Sequence, residues 1–88
     1  MFVGMNIDEV KNLSHQLVNG SHQLRDLVNT LNHQIQSVHW VGQDREAFVH
    51  DWHSSYMPNL NNVINALEHA SQRAMSNVHQ QEEASNRS

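Results

Sequence analysis

The sequence predicts an all-α protein, a helix-turn-helix hairpin with a Trp-x-Gly corner that pairs into an antiparallel four-helix bundle dimer. Three observations predict it. Trp40-Val41-Gly42 stands near the middle of the 88 residues, between two long stretches of helical periodicity. Turn formers are scarce, with 3 Gly and 1 Pro in the whole chain, so few elements can exist. The apolar stripe on each helix is wider than one partner helix can cover, and small chains in this position gain stability by association.

The single domain is expected over 6–81, between a flexible N-terminus (1–5) and a flexible C-terminal tail (82–88). Helix one is expected over 6–39. Asn6 as N-cap with Glu9 three residues on makes a capping box, and Asp8 adds negative charge at the positive end of the helix dipole. Val10, Leu17, Leu24, Leu31 and Val38 then recur every seventh residue, with Leu13, Leu27, Val28 and Ile35 widening the stripe. Such a repeat packs a helix lengthwise against its partners in a shallow left-handed crossing. Gly20 should cost about 1 kcal/mol relative to Ala. Because the periodicity runs through it in phase, it marks a close helix contact and not a break.

The corner is expected over 40–43. Gly42 can take the positive φ that a tight reversal demands, and the Trp40 indole can plug the closed end of the hairpin. Helix two is expected over 44–81, with Asp44 and Glu46 in its first turn. Its inward stripe is Phe48, Val49, Trp52, Tyr56, Leu60, Val63, Leu67, Ala70, Ala74 and Val78, flanked by Ile64 and Met75. Pro58 removes the hydrogen bond to the Ser54 carbonyl, so a kink is expected there, costing about 3 kcal/mol if uncompensated, or a break into two helices. The seam of the dimer and its core is expected to be Val10, Leu17, Leu24, Leu31, Val38, Phe48, Trp52, Tyr56, Leu60, Val63 and Leu67.

Composition bears on the function classes. A formal charge of −4 with only 5 Lys and Arg argues against nucleic acid, which needs clustered cations. No apolar run approaches the roughly 20 residues of a membrane span, so no membrane insertion is expected. Met1-Phe2-Val3-Gly4-Met5 lacks the basic region and apolar core of a secretory leader, so any export is expected to proceed without a cleaved signal peptide. With 0 Cys there is no thiol nucleophile, thiolate metal site or disulfide framework. Neither a nucleophile elbow nor a phosphate loop is present, so no enzyme and no cofactor is expected.

Eight histidines raise a metal hypothesis. His50 and His53 share a helix face, and reflection about the corner brings His33 to a similar height. No Glu-x-x-His pattern occurs at matched positions on both helices, however, and the histidines read as solvated polar-face residues. Protonating several of them near pH 6 would cancel the −4 charge and change the electrostatics of a dimer.

The central Trp40-x-Gly42, the flanking heptad helices and the length resemble the WXG family of ESAT-six-like proteins, substrates of the type VII (ESX-like) secretion system of Gram-positive bacteria. Phe48 and Trp52, Pro58-x-Leu60 and the ending Gln81-Glu82-Glu83-Ala84-Ser85 add to the likeness, which covers about Asn6 to Ser85. The resemblance implies a hairpin that pairs antiparallel with its own copy or with a sibling WXG protein. It implies cytoplasmic residence before export, then secretion as a folded dimer through the type VII secretion ATPase. In the family, the Trp-x-Gly corner acts with a tail motif of Tyr, three residues, then Asp or Glu. This chain departs from that motif: its one Tyr, Tyr56, lies far upstream, and His79 and Glu83 occupy the aromatic and acidic places. In the family one partner of a pair can supply the motif for both. Two other readings follow, an adaptor or chaperone-like partner for a longer WXG or toxin protein, and a His-rich metal-binding bundle drawing on His33, His50 and His53.

Overall fold

The computed structural model describes residues 4–87, with side chains described for 4–85. Four segments follow in order: α1 (Ile7–Ser37), α2 (Gln43–Asp51), a π-helical turn (Trp52–Tyr56) and α3 (Met57–Arg87). There is no strand among the described residues. The last three segments join end to end, so the architecture is a hairpin of one long helix and one longer composite helix.

The start of α1 follows the expected capping chemistry. Asn6 is extended, and its Oδ1 accepts a hydrogen bond from the Glu9 N–H at 3.1 Å. Asp8 and Glu9 lie in the first turn. The helix ends at Ser37, two residues before the expected boundary, where Val38 turns extended while its N–H still reaches the Gln34 carbonyl at 3.0 Å. Of the expected N-terminal segment 1–5, residues 1–3 lie outside the described residues.

Pro58 neither ends helix two nor splits it. Proline has no N–H to give the Ser54 carbonyl, and its ring crowds that oxygen. The chain meets this with a π turn, in which the Met57 N–H reaches back five residues to the Trp52 carbonyl. The wider turn admits the ring and the helix continues. It then runs to Arg87, so residues 82–87 are helical where a tail was expected from Glu82.

The two long arms pack antiparallel over most of their length. The line where they touch most closely within the single hairpin runs beside the leucine heptad. It is Ser14, Ser21 and Val28 on α1 against Ile64, Ser71 and Val78 on α3, all buried. Near the corner this line is apolar: Val28, Ile64 and Trp52 form the core, with Leu24, Leu31, Ile35, Met57 and Leu60 packed against it. Farther from the corner it passes through hydroxyls before reaching Val78. The Ser14 and Ser71 hydroxyls each lie within hydrogen-bond reach of the other's carbonyl (3.0 and 2.9 Å) and of one another (2.7 Å). The Ser21 hydroxyl donates to the Val18 carbonyl at 2.7 Å. Small side chains let the helix axes approach, and the polar atoms are satisfied, with no buried side-chain N or O unpaired among the described residues.

The result is a rod of 68 × 17 × 15 Å with a radius of gyration of 19.7 Å. A compact domain of this length would have a radius near 12 Å. One hairpin therefore encloses little interior of its own.

Candidate interaction surfaces at the corner and along one edge

At the corner the chain reverses within residues 38–42. The Trp40 N–H bonds to the Val38 carbonyl at 3.0 Å, and Gly42 then caps α2, its carbonyl accepting from the Glu46 N–H at 3.2 Å. Gly42 has φ 122° and ψ −178°, and it alone among the described residues has a positive φ. That region is closed to residues with a Cβ, so the expectation for this glycine holds at the backbone level. Its role differs in detail, for it caps the second helix and does not close the first.

Trp40 does not plug the hairpin. Its ring lies against Phe48, with centroids 5.6 Å apart and planes tilted by 46°, and both side chains are exposed at the tip. Val38 and Val41 are exposed beside them, Val41 at 92%. The indole that fills the corner end of the core is Trp52, 6% exposed, whose Nε1–H donates to Asn32 Oδ1 at 3.2 Å.

The remaining residues of the expected seam divide into two groups. Val10, Leu17, Leu24, Leu31, Leu60 and Leu67 are half-buried between the arms. Val38, Phe48, Tyr56 and Val63 are exposed on the single hairpin. Tyr56 parts from Trp52, although an α-helical spacing of four would place both on one face. The π turn between them takes up one extra residue, which rotates Trp52 toward the seam by about 100° relative to a continuous α-helix.

The two edges of the hairpin carry different chemistry. In an antiparallel pair of helices, positions just to one side of the seam on both arms meet along one edge, and positions just to the other side meet along the opposite edge. One edge is polar and closed. Arg25 pairs with Glu68 at 2.6 Å and Lys11 with Glu82 at 3.6 Å, and the Trp52–Asn32 hydrogen bond lies on the same side. The other edge carries Leu13, Gly20 and Leu27 on α1, Tyr56 at the end of the π turn, and Val63 and Ala70 on α3. Leu13, Leu27, Tyr56 and Val63 are about half exposed there, with Leu17, Leu24, Leu60 and Leu67 continuing the apolar surface inward.

The other candidate residues stand apart from these surfaces. His79 and Glu83, the tail candidates, sit one turn apart on the exposed side of α3, with His79 Nδ1 3.7 Å from Glu82. His33, His50 and His53 are all exposed, and no group of three or more His, Asp or Glu that could hold a metal comes together among the described residues. An open trough is lined by α3 alone, between Asn62 and Arg73. No helix among the described residues is long and apolar enough to cross a membrane.

No protein-family model matches the chain, and neither a curated protein nor a solved structure matches it. The site is therefore defined by its own geometry: an all-α hairpin with an aromatic tip and one apolar edge.

Proposed function

We propose that this chain is a WXG-type protein of the ESAT-six-like kind, exported by the type VII secretion system of a Gram-positive bacterium. It acts by protein–protein recognition and not by chemistry. In this reading it is made in the cytoplasm, pairs through its apolar edge into an antiparallel four-helix bundle, and leaves the cell as that folded dimer. The observation that carries the reading is the corner. Gly42 holds a backbone conformation open to glycine alone, and the turn it makes displays Trp40 on Phe48 at the tip of the rod. A solvent-facing aromatic pair on a fixed turn suits an address read by the secretion ATPase better than it suits a core.

The adaptor reading draws on a separate observation, the absence of a Tyr at the end of α3, where His79 stands instead. In that case the hairpin pairs with a longer protein that brings the tail motif.

Export tests both. The full chain is expressed in a Gram-positive host that carries a type VII system, and its appearance in the medium is compared with that in a strain lacking the ATPase. Export that depends on the ATPase is expected, falling by about tenfold or more for Trp40→Ala while circular dichroism shows the same helicity. Export seen only on co-expression with a longer partner would favour the adaptor reading. Equal release from both strains would sink the secretion reading.

A further inference from the structure

We infer that Gly20 is the point at which a second copy of this chain crosses the apolar edge of the hairpin. The inference rests on the pairing proposed above and names its partner and its contact. A glycine inside a helix weakens it, so something must make up for the loss. Nothing within the hairpin does. A Cβ built on Gly20 would meet only Leu67 Cδ1 at 4.0 Å, ordinary van der Waals contact, and no positive φ requires glycine there. The two arms would accept alanine without moving. The missing side chain thus opens outward, onto the edge where Leu13 and Leu27 stand half-exposed one heptad to either side.

Area and charge say what crosses there. The hairpin exposes 6747 Å². A compact monomer of its mass would expose about 5,300 Å², and the excess of about 1,400 Å², spread along the whole rod, leaves room for an interface in which each partner gives up roughly 800 Å². Residues flanking the edge on both arms, Gln16, Gln23, Thr30, Asn59 and Gln80, are uncharged. The charges that border it are Glu9 and Arg73, of opposite sign, so a second copy meets no ridge of like charge. Position selects a copy over an unrelated helix. The middle of α1 (Ile7–Ser37) is His22, and Gly20 lies two residues from it, about 3 Å along the axis. A two-fold axis relating fully overlapped antiparallel rods passes between them, level with the middle of each, where a gap on one copy faces the same region of the other. Leucines on either side of the gap are the knobs that fill it.

Sedimentation equilibrium of the full chain tests this with two substitutions, Gly20→Ala and Asn19→Ala. Both favour helix, so neither can weaken association by unfolding α1. Asn19 is exposed on the outer face and serves as the control. The wild-type chain is expected to dimerise at micromolar concentration. Gly20→Ala should raise the dissociation constant by about tenfold or more, as an added methyl overfills the crossing, and Asn19→Ala should leave it unchanged. A wild-type chain that is folded and monomeric would overturn the inference, as would a Gly20→Ala dimer as tight as the wild type. A chain that folds only when mixed with another hairpin protein would overturn the self-pairing while leaving the export reading standing. A dimer sensitive at Gly20 that is never exported would do the reverse.

Discussion

Gly42 and the buried serines show how single residues set the geometry. At Gly42 a Cβ would find open space, with no atom within 4 Å, so a substitution there acts through the backbone alone. Moving a residue with a side chain into that φ, ψ region costs about 1–3 kcal/mol. Gly42→Ala is therefore expected to lower the melting temperature by about 10 °C, at about 4–8 °C per kcal/mol for a domain of this size. Val41→Ala, at a corner position that is 92% exposed, should change stability by less than about 0.5 kcal/mol. Thermal denaturation followed by circular dichroism checks both, and an unshifted Gly42→Ala would mean the corner relaxes to another turn. Ser14 and Ser71 raise a different point. Two hydroxyl protons serve three oxygen–oxygen contacts, so the hydrogen bonds of this pair are shared and not fixed. Serines at seven-residue spacing were invisible to a reading that looked for the core among leucines. The signal was present, since Ser14 and Ser21 continue the line of Val28 at intervals of seven.

At the scale of elements, the two helices, the cap at Asn6 and the reversal at Gly42 were legible in the sequence because each has a local cause. The phase across Pro58 was not. Periodicity assumes one rotation per residue throughout, and on that assumption Trp52 and Tyr56 share a face. The π turn breaks the assumption at one place, burying Trp52 and leaving Tyr56 at 48% exposure. Pro58 signals that a hydrogen bond is missing but does not say whether the chain kinks, breaks or widens. This account has a test by deletion. Removing Ser55 together with Pro58→Ala should give a regular α-helix with Trp52 in the same phase, folding within about 1 kcal/mol of the parent. Removing Asn61 instead turns everything before it by about 100° against the seam. In a Trp40→Phe background, the buried-indole emission of Trp52 should survive the first change and be lost in the second. Loss in both would mean that the π turn does more than correct the phase.

At the scale of the whole molecule, the distribution of polar groups matters more than their number. The ion pairs Arg25–Glu68 and Lys11–Glu82 are exposed and contribute little stability, about 0–1 kcal/mol each. Their placement is informative, because they occupy one edge and leave the other to Leu13, Leu27, Tyr56 and Val63. Sequence periodicity gave the width of the stripe on each helix. It could not say which margin of one stripe faces which margin of the other, since that depends on the register of the antiparallel pair. With the register known, the edges can be tested against each other. Leu27→Glu with Val63→Glu places charge on the apolar edge at side chains already 51% and 48% exposed, so the hairpin itself should keep its fold. Arg25→Ala with Glu68→Ala removes the ion pair from the polar edge. A protein that binds its own copy melts at a temperature that rises with concentration. The wild type and the polar-edge variant are expected to show that rise, and the apolar-edge variant to lose it while sedimenting as a monomer. If instead the polar-edge variant lost the concentration dependence, the ion-paired edge would be the one that meets the partner. The apolar edge would then need a different occupant.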